Sequence, residues 1–473
     1  MDLLSRFTRR DYKDGEDFLA NYSYTAPENF NFARDVIDEY ARLAPDQVAM
    51  IWTNDAGEER IFTFAELARL SVKAANALRA LGVQQGEPVL LMLKRRYEYW
   101  LCALGLMRIG AIQIPATHQL QEKDITYRVN AADARTLICV GEEELLSHVR
   151  ASKEKCPHLR VTAALGGAHE DFDRLLAEAP DAMDGCYDPA PEDVMLIYFP
   201  SGTTGMPKML AHDFRYGLGH LITGAFWHNL TDKSIHITTA DSGWAKFGWG
   251  KIYGQWICGA VIFAYDMDKF VPLKLLQKIT QYQVTTFCAP PTMFRFMLQE
   301  DVTKFDLSCI KHCCIAGEPL NPEVFKRWYD LTGLKLCEGF GQSESSVMLA
   351  NFQWFEPIPG SMGKPSPLYH IQLMDATGNL CEDGDEGSIV VMDIDKQMPT
   401  GLFTGYFHDD ELTKANLGGS CYDTGDVAWR DSNGYYWFVG RGDDVIKCSG
   451  YRIGPFEVES ALLEHPAVVE CAV

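Results

Sequence analysis

Tyr198-Phe-Pro-Ser-Gly-Thr-Thr-Gly-Met-Pro-Lys208 decides the reading of this chain. It sets hydroxyls at Ser201, Thr203 and Thr204, glycines at Gly202 and Gly205, and a lysine at Lys208, directly after an apolar run. Glycine carries no side chain to hold the backbone off a ligand, so the N–H groups of such a loop can converge on phosphate oxygens. The hydroxyls add donors and the lysine adds counter-charge, which makes the segment a polyphosphate cradle. Val194-Met-Leu-Ile-Tyr-Phe199 reads as a buried strand and Met209-Leu-Ala211 as the start of another, so the loop joins two strands. A P-loop instead opens a helix and carries Gly-Lys-Ser/Thr; that triplet is missing, which disfavours a Walker-type NTPase. Ser/Gly/Thr clusters are most often plain solvent loops, but a plain loop has no use for Lys208.

Outward from the cradle, 473 residues exceed the usual limit for one core, and 47% hydrophobic content is ample to fill more than one. A net charge of -22 argues against a nucleic-acid partner or an anionic membrane surface, because the long-range field repels both. The 14 cysteines are scattered, and Cys313-Cys314 are adjacent rather than spaced as ligand pairs, so reduced thiols of a cytoplasm are the simpler reading. Met1 to Asp17 is charged and lacks an apolar leader core, and no run reaches the length of a membrane span. The expectation is a soluble cytoplasmic protein.

Residues 30–45 and 63–82 carry helical apolar spacing, the second opened by Thr63-Phe-Ala-Glu66 in the form of a capping box. Pro88-Val-Leu-Leu-Met-Leu93, Ala111-Ile-Gln-Ile114 and Thr136-Leu-Ile-Cys-Val140 read as strands separated by helical segments. After the cradle the pattern resumes, with strands at Ala260-Val-Ile-Phe-Ala264, Thr285-Thr-Phe-Cys-Ala289 and His312-Cys-Cys-Ile-Ala316 and helices over 271–282 and 291–300. The alternation predicts βαβ units and an α/β fold of mostly parallel sheets flanked by helices over 1–360. Short alternating runs such as His370-Ile-Gln-Leu-Met374 and Gly387-Ser-Ile-Val-Val-Met392 predict a β-rich subdomain over 361–440. Over 441–473 a charged passage leads into a helical pattern at 456–463 and a strand-like start at 467–473, the opening of a small α+β C-terminal domain too short for its own core.

Five further segments follow the cradle's lead: Ala316-Gly-Glu-Pro319, Glu338-Gly-Phe-Gly-Gln-Ser-Glu344, Tyr422-Asp-Thr-Gly-Asp426, Gly440-Arg-Gly-Asp-Asp-Val-Ile-Lys447 and Ser449-Gly-Tyr-Arg-Ile-Gly454. In this order they resemble the adenylate-forming superfamily of acyl-CoA synthetases, adenylation domains and luciferases, over nearly the whole chain. Trp244-Ala-Lys-Phe-Gly-Trp-Gly-Lys-Ile-Tyr-Gly-Gln-Trp256, Cys288-Ala-Pro-Pro-Thr292 and Gly450-Tyr-Arg-Ile-Gly-Pro-Phe-Glu-Val-Glu459 look like medium-chain acyl-CoA synthetases, including enzymes that act on branched or short acids.

The resemblance implies an AMP-forming carboxylic acid:CoA ligase that uses ATP, Mg2+ and coenzyme A and passes through an acyl-AMP. It implies that Ser201, Gly202, Thr203, Thr204, Gly205 and Lys208 hold the β and γ phosphates. Ser343, where the family usually has threonine, would touch the α-phosphate, and Glu344 would ligate Mg2+. Gly317, Glu318, Pro319, Glu338, Gly339 and Phe340 would frame the adenine, followed by Gly341 and Gln342. Asp426 would accept from the ribose hydroxyls beside Arg441, and Arg452 would pair with phosphate or the adenylate. Gln119, Ser449, Gly450 and Tyr451 would meet coenzyme A, Asp443 would be a hinge, and Trp244 a pocket wall. Related acetate-specific enzymes carry a tryptophan where Gly341 stands, so a longer or branched acyl chain is expected to fit. Partners are these small molecules, with a homo-oligomer compatible.

Plainer readings stand beside these. Asp-Thr-Gly-Asp is a common surface turn, and Arg441 reads equally as a solvated charge. Trp244, Trp249 and Trp256, spaced five and seven apart, suit a helix packing aromatics into a core. Lys246 and Lys251 read as exposed, with the role of Lys246 open, and His118, His212 and His465 read as structural. Family members continue into a C-terminal domain that delivers a catalytic lysine; no segment here holds it, so a truncated chain with a weakened first half-reaction is expected. Adenylation for a non-CoA acceptor, or nucleotide binding without turnover, are the alternatives.

Overall fold

The computed structural model describes residues 1–473 except 167–169, 201–205, 445, 449–450, 464, 466–467, 469–470 and 472. Two sheets carry the fold. In the 13-stranded sheet, Leu336–Phe340, His312–Ile315, Thr286–Ala289, Ile235–Thr238, Val261–Asp266 and Val48–Asn54 are neighbours in that order and run parallel. Glu59–Thr63 closes one edge antiparallel. On the other side the sheet continues antiparallel through Leu349–Ala350, Ser361–Pro365, Tyr436–Arg441, Cys421–Arg430, Glu386–Met392 and Ile371–Met374. The strands beyond residue 360 are thus hydrogen-bonded onto the parallel half.

The 8-stranded sheet runs Gly405–Tyr406, Leu210–Asp213, Val194–Tyr198, Ile112–Pro115, Pro88–Met92, Thr136–Val140, Val161–Leu165 and Glu170–Asp171. Its strands are parallel except Leu210–Asp213, which is antiparallel to both neighbours. The cradle therefore joins adjacent antiparallel strands, as the apolar runs on either side of it imply. Ser201, Gly202, Thr203, Thr204 and Gly205 themselves lie outside the described residues.

Continuous apolar runs become strands here because both faces of a parallel sheet are covered. In His312–Ile315, Cys313 and Ile315 face one core cluster and Cys314 the other. Helices follow the expected stretches at Phe64–Ala80, Pro272–Gln281 and Pro291–Met297. Thr63 caps the first by accepting from the Glu66 N–H at 3.2 Å, while the Glu66 carboxylate pairs with Arg60 at 3.1 Å. The expected single helix from Trp244 to Trp256 is in fact two, Ala245–Lys251 and Tyr253–Ile257, parted where Ile252 leaves helical geometry (φ -142°, ψ -76°). Pro455–Leu463 is helical, and most of the strand-like start at 467–473 lies outside the described residues.

Parallel sheets aim their strands' carboxyl ends the same way, and ligands of α/β folds bind beyond those ends. The loops after Ile112–Pro115 in one sheet and after Ile235–Thr238, Thr286–Ala289, His312–Ile315 and Leu336–Phe340 in the other all open on one crevice.

Candidate active site

Asp426 and Arg441 are directly opposite one another on Cys421–Arg430 and Tyr436–Arg441, so both side chains project from the same face. Gln342, in the loop after Leu336–Phe340, donates to Asp426 Oδ2 at 2.7 Å and to the Thr424 carbonyl at 2.8 Å, and accepts from Tyr422 Oη at 3.1 Å. Gln342 thereby fixes the carboxylate from below. Burial pushes the Asp426 carboxyl up to about 6, against the pull of Gln342 and Arg441.

Glu344 is half-buried in the same cleft; burial raises its carboxyl, Asp426 raises it further, and Lys208 and Arg441 oppose them. Its backbone carbonyl accepts from the Phe403 N–H at 2.7 Å, and the Ser343 carbonyl accepts from His212 Nε2 at 2.8 Å. The turn is thus pinned from two sides. Lys208 lines the cleft with its ammonium 5.3 Å from the Tyr406 ring centroid and, among the described residues, in no ion pair. Lys208, Ser343, Glu344, Asp426 and Arg441 surround about 580 Å³ of open cleft.

A second cavity of about 230 Å³ opens from this cleft between Gly317, Glu318, Pro319 and the strand end Glu338, Gly339 and Phe340. Glu338 is only 5% exposed and Oε2 has no partner, while its carboxyl accepts a backbone hydrogen bond from Leu320. Burial pushes it to about 8. A small space with one unsatisfied polar atom is suited to a planar heterocycle.

The third cavity, about 560 Å³, lies on the far side of Trp244 and Lys246 and is walled by Phe270, Pro290 and Met293 with Arg95, His118 and Gln119 at its polar end. Trp244, Lys246, Ala316 and Gly317 line both large cavities and so form the aperture between them. Trp244 is 66% exposed, which sets it apart from the buried Trp249 and Trp256. Lys246 is no exposed lysine: its ammonium donates to the Ala316 carbonyl, and burial lowers its proton affinity. Lys251 is buried outright, with Nζ 3.4 Å from the Ala240 carbonyl.

The space expected at Gly341 is not free. A Cβ there would stand 2.4 Å from Trp249 Cη2 and 2.7 Å from the Ser346 carbonyl oxygen. The indole of Trp249 occupies the room that glycine concedes, and the open space lies in the cavity beyond Trp244. Nothing local in the sequence marks Trp249 for this; it is delivered by helix Ala245–Lys251.

The remaining expected residues are placed as follows. Gln119 borders the third cavity and Asp443 pairs with Arg441 at 3.2 Å. Tyr451 and Arg452 lie on the strand Tyr451–Ile453 and are described in backbone only, while Ser449 and Gly450 are outside the described residues. His212 is buried, as its structural reading requires. His118 is not a filler: it faces the third cavity with Asp241 Oδ2 4.0 Å from Nδ1.

A family model described as AMP-binding enzyme matches residues 37–407. The human mitochondrial acyl-coenzyme A synthetase ACSM3 is 40% identical over 98% of this chain and 81% of its own length. The human mitochondrial acyl-coenzyme A synthetase ACSM4 is 41% identical over 94% of this chain and 78% of its own. Among solved structures, the anthranilate CoA ligase AuaEII in complex with anthranoyl-AMP superposes with a TM-score of 0.87 at 27% identity, covering 94% of this chain and 85% of that one. The cytoplasmic location expected from composition is overturned by these relatives, which are named mitochondrial.

Proposed function

The chain belongs to the AMP-binding enzyme family, and from that membership we propose how its crevice works as an ATP-dependent carboxylic acid:coenzyme A ligase. It is an AMP-forming acyl-CoA synthetase for short- to medium-chain acids, branched ones included, and its place of action is mitochondrial, as with its relatives. The observation that carries the reading is the junction of two large cavities at Trp244, Lys246, Ala316 and Gly317, one cleft ringed by Lys208, Glu344, Asp426 and Arg441 and the other walled by Met267, Phe270, Pro290 and Met293 together with charged side chains.

In the first step a carboxylate oxygen of the acid attacks the α-phosphorus of ATP, the bond to the β-phosphate oxygen breaks, and pyrophosphate leaves. Such a step is governed by positioning and charge neutralisation. Lys208 and the cradle meet the polyphosphate, Ser343 the α-phosphate, Asp426 the ribose, and the cavity over Glu338 the adenine. Lys246, with donors left beyond its bond to Ala316, meets the acid's carboxylate at the aperture. Among the described residues no three His, Cys, Asp or Glu side chains gather as a metal site. Glu344, its proton affinity raised by burial and by Asp426, is the carboxylate that a dication would re-ionise, with phosphate oxygens and water completing the shell. Bound Mg2+ neutralises polyphosphate charge. In the second step the thiol of coenzyme A attacks the acyl carbon, the acyl–phosphate bond breaks, and AMP departs. Gln119, Ser449, Gly450 and Tyr451 serve this step, Arg452 pairs with phosphate or the adenylate, and Asp443 is the hinge; the division into 1–360, 361–440 and 441–473 belongs to the same proposal.

Pyrophosphate and AMP release with ATP, Mg2+ and acids from acetate to octanoate, with and without coenzyme A, tests the reading. Release with thioester formation for particular acids establishes it. Pyrophosphate without thioester points to another acceptor, and neither product with any acid refutes it.

A further inference from the structure

The polar end of the third cavity is built by a close approach of two loops from different sheets. His118 follows the strand Ile112–Pro115 and Asp241 follows Ile235–Thr238. Between them Gly243 lies so near that a Cβ there would stand 2.2 Å from the Thr117 nitrogen and 2.8 Å from the Ala116 carbonyl carbon. Only glycine lets the turn of 241–244 lie against the backbone of Ala116 and Thr117, next to His118. Asp241 is steadied by accepting from the Gly243 N–H at 3.2 Å and by Arg95 Nη1 at 3.8 Å. Its Oδ2 then stands 4.0 Å from His118 Nδ1.

The two ring nitrogens are in different situations. Nδ1 is buried with no hydrogen bond among the described residues, and Asp241 Oδ2 stands 4.0 Å from it. Nε2 is not shut in as Nδ1 is, it makes no hydrogen bond among the described residues, and the ring lines the cavity, so Nε2 is the nitrogen turned to it. A carboxylate behind Nδ1 that favours its N–H leaves the lone pair on Nε2, the arrangement of a histidine base oriented by an acid.

Resting on the ligase reading above, we propose that His118 is the general base of the second half-reaction, with Asp241 as its positioning residue. The thiol proton of coenzyme A passes to Nε2 as sulfur bonds to the acyl carbon. The acyl–phosphate bond then breaks, AMP carries off its electron pair, and the imidazolium returns its proton to water. Gln119, adjacent in sequence, borders the same cavity, and the aperture at Trp244 and Lys246 connects it to the adenylate. Burial keeps the imidazole below its usual range, Asp241 and Glu142 pull it up, and Lys94 and Arg95 push it down. Lys246, Asp268, Lys269 and Glu318 are the other charged groups on the cavity wall. A ring neutral at pH 7 is free to accept.

The test supplies hexanoyl-AMP and coenzyme A to the full chain and its His118→Asn and Asp241→Asn variants, following AMP release in single turnovers from pH 6 to 9. Pyrophosphate release from ATP and hexanoate serves as the control for folding. We expect His118→Asn to slow thioester formation about 100-fold at pH 7, a much larger loss than in the first half-reaction. The deficit should close toward pH 9, as solution chemistry ionises the thiol without help. Asp241→Asn should show a smaller deficit with the same pH dependence. Parent-like rates in His118→Asn, an equal loss in both half-reactions, or a deficit constant with pH would each overturn the base assignment. A parent chain that releases no AMP from hexanoyl-AMP on adding coenzyme A would sink the ligase reading, and this inference with it.

Discussion

Replacing Glu338 by glutamine should stabilise the folded chain, and by an amount that depends on pH. An exposed glutamate ionises near 4.5, whereas Glu338, shut in the small cavity with Oε2 unpartnered, holds its proton to about 8. Between those values the unfolded chain has released the proton and the folded chain keeps it. Folding then costs about 1.4 kcal/mol more for each pH unit climbed. Because the folded pKa of an acid is raised, the penalty is absent below pH 4.5, grows through neutrality, and is complete above 8. At pH 7 it is about 3 kcal/mol by the same linkage. Glutamine has the same shape and no charge, so it removes this cost, while its amide N–H groups seek partners and return about 1 kcal/mol. Urea midpoints of parent and Glu338→Gln, measured at pH 5, 6, 7 and 8, should therefore diverge as pH rises, the variant being the more stable at pH 8. Comparison at each pH cancels the titration of every other group. A difference that stays constant from pH 5 to 8 would refute the argument, because it would mean that the carboxyl is solvated and ionises normally.

Three further outcomes follow from the same geometry. Lys246→Met should raise the KM for the acid at least tenfold while ATP binding, measured by calorimetry, is unchanged; an equal loss of ATP affinity would show that the lysine only props the Ala316 loop. Gly341→Ala drives a methyl onto Trp249 and the Ser346 backbone, so it should destabilise the chain by about 1–3 kcal/mol. Adding Trp249→Leu should relieve that loss and admit bulkier acids in a substrate panel. The buried His212, His220 and His236 are held down to about 4, 3 and 3 by burial, so the unfolded chain binds protons that the folded chain refuses below pH 6.5. The melting temperature of the parent should accordingly fall as pH drops from 6.5 toward 4, and His220→Asn should fall less steeply.

The strands and helices were legible because their cause is local. Thr136–Val140 is buried throughout and apolar after its first residue, and its ends are those read from the sequence. Thr63 caps a helix because the hydroxyl needs only the N–H three residues on. The cradle's setting between two strands follows likewise from the apolar runs on either side of it. The ordered motifs Ala316 to Pro319, Glu338 to Glu344 and Tyr422 to Asp426 were legible too, since each keeps its chemistry in a few consecutive residues, and the structure lines them along one crevice.

What local sequence could not convey is who meets whom across the sheets. Gly341 read as room, yet Trp249, nearly a hundred positions earlier in the chain, fills it. Lys246 and Lys251 read as surface charges, and helix Ala245–Lys251 turns both inward. His118 had no partner in its own segment because Asp241 arrives from the other sheet, admitted by the missing side chain of Gly243. By itself, then, the sequence determined the element order and the α/β class, because hydrogen bonding and hydrophobic periodicity act between near neighbours. Tertiary structure alone decided the shape of the cavities along the crevice and the environment of their ionisable groups, because burial and charge depend on packing between segments far apart in the chain.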